Sequence, residues 1–339
     1  MGQNEYLRWL SSETPSIYWH DSANLTAIEE AIRNGATGVT TNPFLVQDTL
    51  AGSPDIWEED MAATKTLPPG PEKAEAKIAA VAGRIAKRME REHRGFGTGY
   101  CCAQTDPTRP GDAIRMIEQA KRYAAAAPNL VIKLPSTKAG LLAYEECAAL
   151  GMNVCATVSF TVAQTLAAAE AYERGAARAR QNGITPGLGI AVLMVGRLDD
   201  YLRDAAADYG LDLSEAEITK AGLAAIKRAY KIFCEREYSC ILMPAGCRCA
   251  EHITELAGAR MIFSIAPKIE RMLMECKPPF QEVIREPVDE KIISRLSKLP
   301  EFCKAYEPDG LAVSEFIGYG ATNRTINQFS ECGWNLLAR

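Results

Sequence analysis

The stretch Asn129–Thr137 reads NLVIKLPST and has the composition of a buried strand. Side chains alternate between the two faces of a strand, so Leu130, Ile132 and Leu134 share one face, which suits packing beneath helices. Lys133 lies on the opposite face, with apolar residues two positions away on either side. The stretch therefore predicts a strand that helices cover on one side and that carries a single lysine on the other.

Eight short apolar runs rich in β-forming residues occur along the chain, separated by segments with helical periodicity. In one such segment, apolar residues from Ile78 to Met89 recur every three or four positions. Strands that alternate with helices predict an α/β fold, a (β/α)8 TIM barrel, although a doubly wound open sheet would show the same alternation. The predicted strands are Ser16–Ser22, Gly38–Asn42, Gly97–Gln104, Asn129–Pro135, Asn153–Phe160, Gly189–Gly196, Cys240–Arg248 and Ala259–Ala266.

Three segments are additions to a minimal barrel. Ala51–Gly97 contains a proline-rich patch and then a long charged helix, and Asp212–Tyr238 adds helix before the seventh strand. Lys277–Arg339 continues after the eighth strand as a mostly helical tail. No repeat or low-complexity linker separates the chain into parts. We therefore predict a single domain over residues 1–339, with the barrel at about 16–276 and a helical tail at 277–339. The tail could close over the barrel mouth or form a subunit interface. The sequence therefore leaves open whether the protein is a homo-oligomer.

The composition is that of an ordinary globular protein, with 339 residues of which 24% are charged and 47% hydrophobic. A net charge of −5 gives no basic footprint for nucleic acid, and no apolar run approaches the roughly 18 residues of a membrane span. We expect neither nucleic acid nor membrane as a partner. Met1–Leu10 lacks the apolar stretch of a signal peptide, and eleven cysteines, an odd number, favour reduced thiols. These features predict a cytoplasmic protein.

Motifs for cofactors and metals are missing from the sequence. It contains no Gly-x-Gly-x-x-Gly fingerprint and no P-loop, so no cofactor is implied. His20, His93 and His252 are scattered, and no second Cys/His pair at metal-binding spacing accompanies Cys247 and Cys249. We predict no metal site.

Lys133 is the residue with the clearest chemical potential. Burial in a strand penalises the ammonium form, and an uncharged amine is the nucleophile that forms an imine with a carbonyl. The alternative is a lysine at the end of a strand that reaches solvent or pairs with a carboxylate. For an isolated lysine this alternative is the commoner one, and the strand by itself does not decide between them.

Several segments together resemble the transaldolase family. Gly38–Pro43 (GVTTNP) and Ile132–Gly140 (IKLPSTKAG) resemble its two signature segments. Tyr18–Asn24 is similar to its first strand, which ends in an acidic residue, and Asn153–Gln164 is similar to its fifth strand and helix. The likeness extends over about residues 16–276 in the same order and with compatible spacing.

The resemblance implies a transferase that moves a dihydroxyacetone unit between sugars or sugar phosphates through a lysine Schiff base. All the residues implied lie at the carboxyl ends of predicted strands or just after them, where barrel enzymes place their sites. They are Lys133 as the Schiff-base lysine, Asp21 as the acid/base, Gln104 and Thr157 beside a catalytic water, Thr41 and Asn42 at the donor, and Arg197, Arg248 and Gly246 at the phosphate.

Each of these residues also has a structural interpretation. Asp21 could cap the helix that starts near Thr26, and Asn42, before a proline, could serve only the turn. Thr157 could be an ordinary β-branched strand residue. Arg197 could form a surface ion pair with the two aspartates that follow it.

The sequence departs from the family pattern at five positions. Gln104 stands where transaldolases typically have a glutamate; an amide can hold a water but cannot accept a proton. The related fructose-6-phosphate aldolases have this glutamine, but Met194 occupies the place of their proton-transferring tyrosine. Val192 and Cys155 replace hydrogen-bonding residues at the donor end, and Gly246 replaces a serine beside the phosphate.

These departures leave two further hypotheses and one refinement. The first is an aldolase, a lyase similar to the fructose-6-phosphate aldolases, that acts on a related ketose. The second is a catalytically silent relative that only binds phosphosugars. The refinement keeps the imine chemistry but expects a pocket tuned to a ketose other than fructose 6-phosphate.

Overall fold

A computed structural model describes residues 3–339, and its eight strands form one parallel sheet. The strand order is β7-β6-β5-β4-β3-β2-β1-β8, and the two end strands pack against each other, so the sheet is nearly closed. This confirms the (β/α)8 barrel, and the open-sheet alternative is wrong. The strands are β1 Ile17–Asp21, β2 Gly38–Thr40, β3 Tyr100–Gln104, β4 Leu130–Pro135, β5 Asn153–Thr157, β6 Gly189–Leu193, β7 Ile241–Pro244 and β8 Ile262–Ile265.

Helices follow the strands, and further helices lie in the three predicted additions. They are α1 Glu5–Glu13, α2 Leu25–Arg33, α3 Pro43–Gly52, α4 Glu58–Met61, α5 Pro71–Met89, α6 Ala113–Ala126, α7 Lys138–Ala149, α8 Val162–Gln181, α9 Val195–Asp208, α10 Glu215–Glu235, α11 Glu251–Thr254, α12 Pro267–Cys276, α13 Glu290–Leu296, α14 Pro300–Tyr306, α15 Gly320–Phe329 and α16 Asn335–Leu337. Short 3-10 helices span Pro54–Trp57, Ala62–Thr66, Glu90–Glu92 and Val313–Gly318, and a π-helical turn spans Ser330–Trp334.

Polar side chains fix where helices begin after the first five strands. Asn24, Asn42, Asp112, Thr137 and Thr161 each accept a hydrogen bond from a backbone N–H of the first helical turn. Such a cap contributes about 1 kcal/mol and satisfies a donor that the helix leaves unpaired. The caps keep the connections short at the carboxyl ends of the strands, which is the edge where barrel enzymes assemble their sites.

Several observed strands are shorter than the sequence predicts, mostly at their carboxyl ends. β5 ends at Thr157 because Val158 adopts a positive φ of 55°, which no strand accommodates. β6 ends at Leu193 because Val195 already begins α9. The residues beyond these ends are buried and apolar, so composition alone made them resemble strand.

Aromatic side chains fill the amino-terminal end of the barrel. The Trp19 and Tyr100 rings stack with centroids 6.0 Å apart, and Trp19 Nε1 donates to the Gly97 carbonyl at 2.7 Å. Gly38 pairs with Trp19 across the β1–β2 ladder, and a Cβ there would lie 2.4 Å from the indole ring. This packing closes one end of the barrel and leaves the opposite end for ligands.

The carboxyl-terminal tail packs on the open end of the barrel. A Cβ at Gly333 would lie 2.6 Å from backbone atoms at the start of α3. The carbonyl of Leu337 accepts from Lys77 Nζ, and that of Ala338 from the Gly70 N–H, both at 2.8 Å. Of the two roles predicted for the tail, the structure shows it lying across the barrel mouth. Within residues 3–339, no helix combines the length and the apolar character needed to cross a bilayer.

Candidate active site

Strand register brings three of the chain's unusual residues side by side inside the barrel. Lys133 pairs with Gln104 across the β3–β4 ladder and with Cys155 across the β4–β5 ladder. Paired residues of neighbouring parallel strands point to the same side of the sheet. Gln104 and Cys155 therefore flank Lys133 in one inward-facing layer, and we call this layer with the groups around it the lysine pocket.

Lys133 is buried, with 7% of its surface exposed. Its Nζ donates to the backbone carbonyl of Thr41 at 3.1 Å. No carboxylate within residues 3–339 forms an ion pair with this lysine. The alternative of a lysine that reaches solvent or pairs with a carboxylate is therefore wrong.

The loop between β2 and α3 covers Lys133 and is anchored on both sides. Thr41 Oγ1 donates to the Cys102 carbonyl at 2.7 Å, so the Thr41 carbonyl is held over the lysine amine. Asn42 Oδ1 accepts from the Leu45 N–H at 3.0 Å and caps α3. Asn42 thus has a structural role at the turn into α3. This role uses only the side-chain oxygen, so the amide NH2 group remains as a donor for a substrate hydroxyl.

Asp21 ends β1 and is held by a hydroxyl chain. Thr40 Oγ1 donates to Asp21 Oδ1 at 2.7 Å and lies 2.8 Å from Ser264 Oγ. Asn24, not Asp21, caps the following helix, so the capping alternative for Asp21 is wrong. A carboxylate oriented by a hydroxyl and free of a capping role is suited to proton transfer.

Gln104 is 3% exposed, and its Oε1 has no hydrogen-bond partner among the described residues. An unpaired buried amide oxygen costs roughly 1–3 kcal/mol, so such an acceptor usually serves a water or a ligand. Its position beside Lys133 fits a water or a substrate hydroxyl bound next to the amine.

The residue after Thr157 carries backbone strain. Val158 is β-branched and buried, yet its φ is 55°. Such a conformation costs about 1–3 kcal/mol and persists only where the surroundings enforce it. Those surroundings include the Ser136 N–H, which donates to the Thr157 carbonyl at 2.7 Å, and Ser159 Oγ, which donates to the Val192 carbonyl at 2.5 Å. The turn holds Thr157, which is 2% exposed, at the carboxyl end of β5.

A second cluster lies after β6 and β7, and we call it the arginine pocket: Arg197, Arg248 and Gly246. Gly246 has a φ of 60°, and a Cβ there would lie 3.3 Å from Arg197 Cγ. Burial lowers the pKa of Arg197, and the charge of Arg248 lowers it further. Two neighbouring guanidinium groups are donors suited to a doubly charged anion such as a phosphate.

The carboxyl-terminal tail reaches the arginine pocket. Arg197 Nη1 donates to Gln328 Oε1 at 2.5 Å, and the guanidinium lies 5.4 Å from the centroid of the Phe329 ring. The ion pair considered between Arg197 and the aspartates after it is wrong, because Asp200 pairs instead with Arg248, whose Nε donates to Asp200 Oδ2 at 2.7 Å.

The structure thus gathers the predicted residues into two groups. Lys133, Gln104, Thr41 and Asn42 lie around the lysine pocket with Asp21 and Thr157 at neighbouring strand ends, and Arg197, Arg248 and Gly246 form the arginine pocket.

Sequence reasoning missed several contributors. Thr40, which orients Asp21, belongs to the quoted GVTTNP segment but received no role. Gln328 follows Arg197 by 131 residues, and no local pattern signals their contact. Cys102 lies beneath Gln104 on the same face of β3. Burial opposes ionisation of the Cys102 thiol, but the hydrogen bond from Cys155 and the charge of Lys133 outweigh it and lower its pKa.

Comparisons with known proteins agree with this geometry. Residues 18–313 match the family model described as Transaldolase/Fructose-6-phosphate aldolase. Transaldolase 1 of Streptomyces avermitilis is 32% identical over 259 residues, which cover 71% of this chain and 68% of the relative. Transaldolase of Thiobacillus denitrificans is 29% identical over 209 residues, which cover 60% of this chain and 58% of the relative. Transaldolase of Neisseria meningitidis serogroup C is 29% identical over 146 residues, 40% of this chain and 41% of the relative.

The family model covers most of the chain, and the matched region contains both pockets. The resemblance drawn from the GVTTNP and IKLPSTKAG segments is therefore confirmed. The chain belongs to the transaldolase/fructose-6-phosphate aldolase family of enzymes, and its function is of the transaldolase type.

Proposed function

We propose that this enzyme transfers a dihydroxyacetone unit from a ketose phosphate to an aldose acceptor through a Schiff base on Lys133. The observation that carries the proposal is the buried Lys133 amine, which faces the barrel interior and contacts a backbone carbonyl rather than a carboxylate. A buried amine without a counter-charge is the arrangement that favours nucleophilic attack on a ketone.

The proposed reaction passes through an iminium and an enamine on Lys133. The Lys133 amine adds to the donor C2 carbonyl and expels water, which forms an iminium. Asp21 takes the proton from the C4 hydroxyl while the C3–C4 bond breaks. The electrons of that bond move into the iminium and give an enamine, and the C4 fragment leaves as an aldehyde. The enamine then adds to the acceptor aldehyde, whose oxygen takes the proton back from Asp21, and hydrolysis of the new iminium returns the free lysine. Gln104 and Thr157 would hold the water of the first and last steps.

The arginine pocket would bind the substrate phosphate. Two guanidinium groups supply fork-shaped donors. Gly246 has no side chain that would shield its backbone N–H, which is a further donor. With the phosphate beyond β6 and β7, the other end of an extended sugar would lie towards Lys133. Small-molecule sugar phosphates are therefore the proposed substrates.

An aldolase that releases the three-carbon fragment is the second candidate. The observation that favours it is Gln104, an amide beside Lys133 that can bind water but cannot accept a proton. Incubation with a ketose phosphate, with and without an acceptor aldose, separates the two candidates. The transferase turns over only with acceptor, whereas the aldolase accumulates free dihydroxyacetone without it.

The donor end of the pocket is less polar than the family resemblance implies. Cys155 pairs with Ile190, and Val192 pairs with Met243, so apolar and thiol side chains line this part of the barrel. We propose that the preferred ketose is not fructose 6-phosphate and has fewer hydroxyls at that end. A substrate panel in which fructose 6-phosphate with erythrose 4-phosphate reacts fastest would contradict this.

The remaining expectations also belong to the proposal. We place the enzyme in the cytoplasm, which the eleven free cysteines of the structure support, since reduced thiols are typical of that compartment. We also keep as predictions a homo-oligomer and a single domain over residues 1–339, with the barrel at about 16–276 and the tail at 277–339. A silent phosphosugar-binding relative is the third hypothesis, and it predicts no imine on Lys133.

A further inference from the structure

A buried pair of ionisable side chains, Asp199 and His252, lies behind the arginine pocket. His252 Nε2 lies 2.9 Å from Asp199 Oδ2, and the two side chains are 0% and 2% exposed. Asp199 Oδ1 accepts from the Gly222 N–H at 2.8 Å, which fixes the carboxylate against α10. Neither residue lines the lysine pocket, and the chemistry proposed above does not use them.

The other nitrogen of the His252 ring contacts the backbone of Arg248. The Arg248 N–H donates to His252 Nδ1 at 3.1 Å. Accepting this hydrogen bond engages the lone pair of Nδ1, and Nε2 is the ring nitrogen that faces Asp199. The imidazole therefore joins α9, which carries Asp199, to the loop that carries Arg248.

The same helix and loop are in close contact elsewhere. Arg248 Nε donates to Asp200 Oδ2 at 2.7 Å. A Cβ at Gly196 would lie 2.6 Å from both Arg248 Cγ and the Gly246 carbonyl oxygen. Because Arg197 also lies on α9, every one of these contacts helps to set the distance between the two guanidinium groups.

The charges around Arg248 act in opposite directions. The charge of Arg248 disfavours that of Arg197, whereas its ion pair with Asp200 draws the loop towards α9 but is exposed to solvent. The bond from the Arg248 backbone to a buried ring holds the loop against α9 where solvent does not weaken it.

We propose that Asp199 and His252 are positioning residues that hold Arg248 opposite Arg197, so that both guanidinium groups are placed for a substrate phosphate before it binds. This inference rests on the proposed function, in which the arginine pocket binds phosphate. It adds residues that touch neither the substrate nor the lysine. Their loss should weaken phosphate binding without changing the chemistry at Lys133.

Two substitutions at one position separate this role from general support of the fold. In His252→Asn, Oδ1 can replace Nδ1 as acceptor for the Arg248 N–H. In His252→Gln, the longer amide keeps a donor near Asp199 but places no acceptor at the Arg248 N–H. Asp199→Asn changes the partner of the ring with little change in shape. The matched control is His93→Asn, at an exposed histidine outside both pockets.

The readouts are KM for a phosphorylated ketose, inhibition by inorganic phosphate, and kcat with an unphosphorylated ketose. We expect His252→Gln to weaken both phosphate readouts about tenfold and Asp199→Asn to weaken them about threefold, while His252→Asn stays within about threefold of wild type. The kcat with the unphosphorylated ketose should change less than about twofold in all three.

Equal loss of kcat with both kinds of ketose would overturn the inference, and so would phosphate affinities in His252→Gln that match wild type. Thermal unfolding of each variant identifies one that fails to fold, and Asp199→Asn then carries the test. Arg248→Ala separates the two proposals: if it leaves inhibition by inorganic phosphate unchanged, the phosphate site of the proposed function fails, and this inference fails with it.

Discussion

The lysine pocket and the arginine pocket are built in different ways. The lysine pocket lies on three neighbouring strands whose register is fixed by backbone ladders, and its side chains face the barrel interior. The arginine pocket is assembled from the start of α9 and the loop after β7, and the tail helix α15 contacts it through Gln328. The bond-making groups thus have a rigid support, whereas the recognition groups depend on contacts between segments that can vary.

This difference predicts two separable kinds of kinetic effect. Changes in the lysine pocket should lower kcat with every substrate, because the same amine and water serve all of them. Changes in the arginine pocket should alter KM for phosphorylated sugars and leave unphosphorylated ketoses almost unaffected.

The largest effect is expected for Lys133→Ala. Without the amine no imine forms, so turnover of phosphorylated and unphosphorylated ketoses should both fall at least roughly 10³-fold. Steady-state kinetics check this. Lys138→Ala, an exposed lysine five residues along the chain, is the matched control and should keep wild-type rates. A Lys133→Ala variant that retains a tenth of the activity would contradict the account.

Gln104→Leu should lower kcat about 10- to 100-fold with both kinds of ketose. The leucine removes the buried acceptor beside Lys133 while it fills most of the space, so the water loses its partner. Gln104→Glu keeps an oxygen in the same place, and its kcat should at least equal that of wild type. If Gln104→Leu raised only KM for phosphorylated sugars, the division between the two pockets would fail.

Gln328→Ala should lower KM for phosphorylated sugars about threefold. Gln328 occupies a guanidinium donor of Arg197 that a phosphate would otherwise use, so its removal frees that donor. Unphosphorylated ketoses should show no change. Asn327→Ala is the neighbouring control, since the Asn327 side chain donates a hydrogen bond to Asn323 within the tail. A rise in KM would mean that Gln328 holds Arg197 in place rather than competing for it.

The smallest effect concerns the acid stability of the arginine pocket. Burial raises the pKa of Asp200, but the hydrogen bond and charge of Arg248 outweigh it, so the pKa lies below its usual range. A carboxyl with a lowered folded-state pKa stabilises the protein above its unfolded value of about 4, and this contribution disappears as the pH falls through the folded value.

The difference in Tm between wild type and Asp200→Asn should therefore be present at neutral pH and be lost as the pH falls well below about 4. Thermal unfolding at a series of pH values measures it, with Asp208→Asn, an exposed aspartate on the same helix, as the control. A difference that grows on acidification would have the wrong sign.

The sequence predicted the lysine pocket well because its determinants are local. The alternation around Lys133 places the amine on the inner face, and the strand ladders then require Gln104 and Cys155 to lie beside it. The alternation of strands and helices fitted the barrel but did not exclude an open sheet, which the contact between β7 and β8 rules out. Predicted strand ends were too long where buried apolar residues continue into a turn, as at Val158, because periodicity contains no information on φ.

The arginine pocket was predicted only in part because its contacts join distant segments. An ion pair with the nearby aspartates was the structural alternative for Arg197, yet its hydrogen-bond partner is Gln328. His252 was set aside as one of three scattered histidines, although folding brings it against Asp199. Such pairs arise from tertiary packing and leave no mark in sequence spacing.

Trapping of the imine tests the central claim most directly. Wild-type enzyme is incubated with a ketose phosphate and borohydride, and intact mass and peptide mapping locate the reduced adduct. The account predicts one adduct per chain, on the peptide that contains Lys133, and none in Lys133→Ala. An enzyme that turns over the ketose without any adduct, or with the adduct on another lysine, would contradict it.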